Sequence, residues 1–210
     1  MYPNVVAAIR LMLVTDDALL AGRDLVDVCR AAVRGGVTSV ELRLKRLPAA
    51  ELAEAARSLI AALEIPVVIN DRADVALAVG AAGVHLGPED IPVQLVRRIA
   101  PVGFLIGASV GVAGETANGL GADYWGVGPW RDTSTKSDAG VALGPDGFRR
   151  FVRLAEGKPC IAIGGVRPAD VATVREAGGA GVAVVSGILA APDAEAAARQ
   201  YALQFPLSGD

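Results

Sequence analysis

A single histidine and two cysteines leave this 210-residue chain without the material for a His-cluster metal centre, a Cys-rich metal site or a disulfide scaffold. No sign of charge dominates. Twenty Lys and Arg against 23 Asp and Glu give a net charge of −3, so no basic field exists for nucleic acid. Long hydrophobic runs are also missing. The longest uncharged stretch after Glu176, AGGAGVAVVSGILAAP, has 16 residues. It falls short of the roughly 20 apolar residues that span a bilayer. The N-terminal MYPNVVAAIRLMLVTDD has no basic region leading into an uninterrupted apolar stretch, so no signal peptide is read there. The expectation is a cytoplasmic protein with no membrane or nucleic-acid partner. A hydrophobic fraction of 52% rules out disorder.

What is present is a recurring pair: a short apolar run, then an Ala-rich amphipathic stretch. The runs fall at 11–15, 37–43, 66–70, 83–87, 104–109, 123–128, 160–165 and 181–187. Most are nearly continuously apolar and flanked by Gly or Pro, as parallel strands buried on both faces must be. Between them, LVDVCRAAVRGG sets Leu25, Val26, Cys29 and Val33 on one helical face and stops at Gly35–Gly36. PAAELAEAARSLIAAL places Pro48 in the first turn and Leu52, Ala56, Leu59 and Leu63 on one stripe. RPADVATVREAGG and DAEAAARQYALQF repeat the scheme, and the fourth and fifth connections carry weaker patterns. Alternating strands and helices imply parallel pairing through right-handed crossovers. Eight units predict an α/β protein built as a single (β/α)8 TIM barrel over residues 1–210. An open doubly wound sheet is the alternative, but TDDALLAGRD after the first run is not a G-x-G-x-x-G turn.

In such a barrel, chemistry sits where strands end. The second run ends in Glu41-Leu42-Arg43-Leu44-Lys45, and alternation puts its three charges on one face. They are either a solvated strand end or groups aimed into the barrel mouth. Asn70-Asp71 closes the third run, and the fourth leads through His85 to Glu89-Asp90. Two carboxylates from adjacent strand ends suit Mg²⁺, which keeps waters and takes substrate phosphates; helix capping is the plainer role for both. A lone His85 within a strand reads as a hydrogen-bonded core residue. The loop from Gly128 to Lys136 is rich in hydroxyls and carries a lysine, so it is either solvated or a phosphate-binding lid. Gly164-Gly165 and Ser186-Gly187 follow the last two runs, where barrels bring backbone N–H groups to a phosphate. The inventory is Arg43, Lys45 and Lys136 for a highly charged group such as pyrophosphate, Asp71 and Asp90 for its cation, and Gly165 with Ser186 for a second phosphate. Two phosphorylated substrates and a metal suggest group transfer with pyrophosphate as leaving group.

These landmarks, in order, resemble the thiamine phosphate synthases: E-L-R-L-K at 41–45, N-D at 70–71, V-H-L-G-P-E-D at 84–90, G-A-S at 107–109, G-A-D-Y-W-G-V-G-P at 121–129, T-S-T-K at 133–136 and I-G-G at 163–165. The resemblance covers nearly the whole chain. It implies a (β/α)8 barrel that joins hydroxymethylpyrimidine pyrophosphate to thiazole phosphate, with Mg²⁺ and without a strong base, through departure of pyrophosphate and capture of a pyrimidine methyl cation. It implies Arg43, Lys45, Asn70 and Lys136 as pyrophosphate and pyrimidine contacts, with Glu41 at a substrate-binding position and Ser109 beside them. It implies Asp71 and Asp90 as Mg²⁺ ligands. Thr133, Thr135, Gly165, Val185 and Ser186 would hold the thiazole phosphate.

Three features depart from the pattern of the family that the chain resembles. Glu41 stands where Gln is usual, Trp130-Arg131-Asp132 replaces an aliphatic–aromatic–Pro lead, with Arg131 either an added phosphate contact or a solvent-facing residue, and Gly111 stands where a histidine often follows the serine. A thiazole tautomerase-like isomerase would need that histidine. A non-catalytic paralogue binding thiamine-related phosphates is kept open by Glu41. Another phosphate-binding barrel, an aldolase or epimerase, would leave Asp71, Asp90 and the Lys136 loop without a joint role. The oligomeric state stays open, a homo-oligomer included, and Cys29 and Cys160 read as reduced core residues.

Overall fold

Each apolar run is too short to bury its own backbone polar groups, so the runs must pair with one another. The computed structural model describes residues 4–20, 22–132 and 140–205. In it, β1 (Leu11–Val14), β2 (Ser39–Leu42), β3 (Val67–Asn70), β4 (Gly83–Leu86), β5 (Leu105–Val110), β6 (Tyr124–Val127), β7 (Cys160–Ile163) and β8 (Gly181–Val184) pair in chain order. All pairs are parallel, and β8 returns to β1 through Leu11 opposite Val182. The sheet is therefore closed, and the expected (β/α)8 TIM barrel is the architecture found.

Alternation along the strands separates two cores. Outward residues such as Leu13, Val40, Leu42 and Ile69 pack under the helices. Inward residues Met12, Val14, Tyr124, Ile161 and Ala183 fill the barrel, joined by Ile9 just before β1. Cys29 and Cys160 are free and buried, and burial pushes both thiols up to about 12, which leaves them unreactive.

The helices follow the apolar stripes with some differences. Asp24 caps the helix Leu25–Arg34 by accepting from Asp27 N at 2.9 Å. Its buried face is Val28, Cys29 and Ala32, so the expected Leu25–Val26–Cys29–Val33 stripe is rotated. The reason lies at its end: a Cβ on Gly35 would sit 2.4 Å from Glu195 O, so the C-terminal helix Ala194–Ala202 packs directly on this glycine. The helix Ala49–Ala62 buries Leu52, Ala56 and Leu59 and starts after Pro48, which occupies the capping position. Between β5 and β6 a 3-10 stretch, Ala113–Ala117, stands in for a full helix. Among the described residues no helix is long and apolar enough to cross a membrane.

Gly83 shows how closely neighbouring strands approach. A Cβ there would lie 2.2 Å from Leu105 O. Gly83→Ala is expected to cost about 1–3 kcal/mol, read as a shift in the urea midpoint. Gly114→Ala, where a Cβ meets nothing within 4 Å, is the control and should stay within about 0.5 kcal/mol of the parent.

Candidate active site

Because all eight strands are parallel, their C-terminal ends meet on one rim, and the charges that follow them are brought together there. A cavity of about 780 Å³ opens on this rim. One end is lined by Asp16 and Asp17 after β1 and by Arg43, Lys45 and Arg46 after β2. The other is lined by Arg131 after β6, Gly165 and Arg167 after β7, and Ser186 and Gly187 after β8. Arg43 Nη1 pairs with Asp16 Oδ2 at 2.9 Å, and its backbone N–H donates to Thr15 Oγ1 at 2.8 Å. Lys45 N donates to Asp17 Oδ2 at 2.9 Å, and Lys45 Nζ stands 3.2 Å from Asp71 Oδ2.

Neither acidic residue after β3 and β4 caps a helix. The helix Ala73–Val79 begins after Arg72 and Val93–Ile99 after Pro92, both without a side-chain cap. Asp71 instead adopts a left-handed φ of 62°, a strained setting for a residue other than glycine, and its N–H donates to His85 O at 2.8 Å. Asp90 Oδ2 accepts from Gly87 N at 2.6 Å. Burial pushes the Asp90 carboxyl up to about 6; the Gly87 N–H pulls it down, and the neighbouring Asp71 carboxylate adds to the rise. Two oxygen ligands so crowded fit a hard divalent cation. Among the described residues no three His, Cys, Asp or Glu side chains gather into a complete cage, so such a cation would complete its shell with water or substrate oxygens.

Below the rim lies a polar floor. Glu41 is buried at 4% exposure, and burial pushes its carboxyl up, with Asp71 adding to the rise and His85 pulling the other way. That rise favours the protonated acid, which regains the donor that an ionised carboxylate lacks. His85 Nδ1 lies 3.1 Å from Tyr124 Oη, and its Nε2 lies 3.0 Å from Ser109 Oγ. The floor thus orients the Ser109 hydroxyl. A Cβ on Gly107 would sit 2.3 Å from Tyr124 Cζ, which is why glycine stands there. Asn70 lies level with His85 in the β3–β4 register. At Gly111, where the isomerase reading needs a histidine, a Cβ would lie 2.6 Å from Gly128 O.

Of the residues expected from sequence, the structure brings Arg43, Lys45, Gly165 and Ser186 to one cavity and Asp71 to Lys45. Asp90 adjoins Asp71, Ser109 and Glu41 sit at the floor, and half-buried Val185 precedes Ser186. Thr133, Thr135 and Lys136 lie outside the described residues. Sequence reasoning missed Asp16 and Asp17, although they directly follow β1 and the strand-end rule applied to them. It also missed Arg167 and the Arg131–Asp170 pair.

Fold and rim define a (β/α)8 barrel with a charged cavity at its strand ends. Residues 11–188 match the model of the thiamine monophosphate synthase family. The chain is 48% identical over 194 residues to the thiamine-phosphate synthase of Azorhizobium caulinodans, covering 90% of this chain and 91% of that one. It is 43% identical over 197 residues to that of Methanospirillum hungatei, covering 91% and 95%. A solved thiamine phosphate pyrophosphorylase from Pyrococcus furiosus superimposes with a TM-score of 0.81 at 33% identity, over 96% of this chain and 97% of that one. The chain belongs to the thiamine monophosphate synthase family and is an enzyme of the transferase class.

Asp90 holds its proton to a higher pH in the folded chain than in the unfolded one. It therefore favours the fold below its unfolded pKa, and that contribution is lost as pH rises through about 6. In EDTA, the thermal midpoint of the parent should fall relative to Asp90→Asn between about pH 5 and about pH 7. Parallel curves for the two proteins would show that the Asp90 carboxyl is not perturbed.

Proposed function

We propose that this enzyme couples hydroxymethylpyrimidine pyrophosphate to thiazole phosphate, giving thiamine phosphate and pyrophosphate. One observation carries the reading: a single cavity has cations at both ends, glycine turns at one and a carboxylate pair beside the other. Two phosphorylated reactants fit such a cavity better than one.

The bond between the pyrimidine methylene carbon and the diphosphate oxygen breaks, and its electron pair leaves on pyrophosphate. The thiazole nitrogen then forms the new C–N bond. Arg43 and Lys45 exchange part of their pairing with Asp16 and Asp71 for the diphosphate and stabilise the charge that develops on it. Asp71 and Asp90 would hold Mg²⁺, which would supply further charge neutralisation to the leaving group. Asn70, Glu41 and Ser109, set at or just above the barrel floor, orient the pyrimidine, and Gly165, Val185 and Ser186 seat the second phosphate. Thr133, Thr135 and Lys136 keep the roles that their motif implies. No group needs to abstract a proton for the bond exchange, so proximity and electrostatics carry the catalysis.

The test is purified protein with both substrates, following pyrophosphate and thiamine phosphate with and without Mg²⁺. Metal-dependent formation of both products is expected. Binding of both substrates without pyrophosphate release would point to the non-catalytic reading, and turnover unaffected by EDTA would remove the metal. Asp71→Asn, chosen because Asn tolerates a left-handed backbone, should lower kcat/KM by about a hundredfold or more with little change in thermal midpoint. Equal loss of stability and activity would assign Asp71 a structural role.

A further inference from the structure

Arg131 stands in the loop after β6, and the reaction outlined above does not use it. Its backbone is fixed from both sides. Trp130 N donates to Ile163 O at 2.7 Å and Arg131 N to Gly164 O at 2.9 Å, while the Trp130 ring is buried edge-on against Phe148. Its side chain is fixed as well. Nε donates to Asp170 Oδ2 at 3.0 Å, and Nη2 donates to Asp170 Oδ1. The guanidinium has five donor hydrogens in a rigid fork, so three remain for another partner. Asp170 is 8% exposed and Arg131 49%, so the carboxylate lies beneath and the cation faces outward.

Arg131 lines the cavity beside Gly165, Arg167 and Ser186. Asp170 Oδ2 also accepts from Arg167 N at 2.8 Å, which ties the loop after β7 to the same carboxylate. Among the described residues the exposed Arg167 side chain makes no ion pair. Two guanidinium groups therefore stand at the glycine-turn end, and one of them is held in a single orientation before any ligand arrives. Arginine forks of this kind recognise phosphate oxygens with geometric selectivity that a lysine does not supply.

We infer that Arg131, positioned by Asp170, is a substrate-binding residue for the phosphomonoester of the second substrate and selects the phosphorylated thiazole over its alcohol. This rests on the reading of the β7–β8 end as the phosphomonoester subsite. It assigns Arg131 to specificity, with no part in the departure of pyrophosphate.

Steady-state kinetics on the whole enzyme separate this from a purely structural ion pair. Arg131→Gln should raise KM for thiazole phosphate about ten- to a hundredfold. It should leave KM for the pyrimidine pyrophosphate within about twofold and turnover of the thiazole alcohol unchanged. Arg131→Lys keeps charge but loses the fork, so it should fall between. Asp170→Asn should shift the same KM in the same direction. Equal KM changes for both substrates, or equal losses with phosphorylated and unphosphorylated thiazole, would overturn the assignment. Calorimetric titration with thiazole phosphate separates this inference from the coupling reaction. Binding by the parent that weakens in Arg131→Gln supports the subsite even if no coupling occurs. Undiminished binding in Arg131→Gln, or none in the parent, overturns it.

Discussion

Asp71 and Asp90 face each other across the ends of β3 and β4, close enough that the Asp71 carboxylate helps burial to hold the proton on Asp90 up to about 6, with the Lys45 ammonium pulling the other way. Left to themselves in water, two such carboxylates would separate. Here the backbone holds them: Asp71 N donates to His85 O, and Asp90 is tied to Gly87 N. The parallel register that closes the barrel thus imposes a local excess of negative charge that one nearby ammonium only partly offsets. The same register sets Arg43 on Asp16 and Lys45 over Asp17. Arg43 and Lys45 are each already paired with a carboxylate, so binding a diphosphate exchanges one anionic partner for another without ordering these long side chains anew.

The fold was legible because parallel strands buried on both faces must be nearly continuously apolar, and most of the eight runs met that demand. The rim was legible for a topological reason: if strands are parallel, whatever follows them shares one end. That argument located Arg43, Lys45, Asp71, Asp90, Gly165 and Ser186. It did not show who pairs with whom. Asp16 lies 27 residues from Arg43 and Arg131 lies 39 from Asp170, and these contacts exist only once register and loop paths are set. The rotated face of the Leu25–Arg34 helix was illegible for a similar reason, since it answers to a helix at the far end of the chain. Capping was a sound local expectation for Asp71 and Asp90, overridden by the turn at Asp71 and by the Gly87 contact.

The barrel floor shows how polar groups survive inside a packed core. His85 and Tyr124 are buried, yet the imidazole meets a partner at each nitrogen, and Gly107 and Gly126 leave room for the rings. An unpaired group there would cost far more than the hydrogen bonds return. Glu41 follows a different route. No glutamine-like amide is present, but burial pushes its carboxyl toward the neutral acid, which offers both a donor and an acceptor.

Scarcity of histidine now has a physical reading. The one imidazole is tied between a phenol and a serine at the floor, poorly placed to shuttle protons at the rim. A reaction that expels pyrophosphate and captures a carbon cation asks for none. It asks that negative charge be met where it accumulates and that water be kept from the carbon. Cations at both ends of one cavity answer the first demand. On the proposed reading they would also divide the work: Arg43 and Lys45, which line the cavity with Asp16, would act on the group that leaves, and Arg131 and Arg167, which line it with Gly165, would hold the group that stays bound. An ion that stabilises departing charge gains from developing attraction in the transition state. An ion that anchors a spectator phosphate contributes equally before and after, so it shapes which substrate enters without setting how fast the bond breaks.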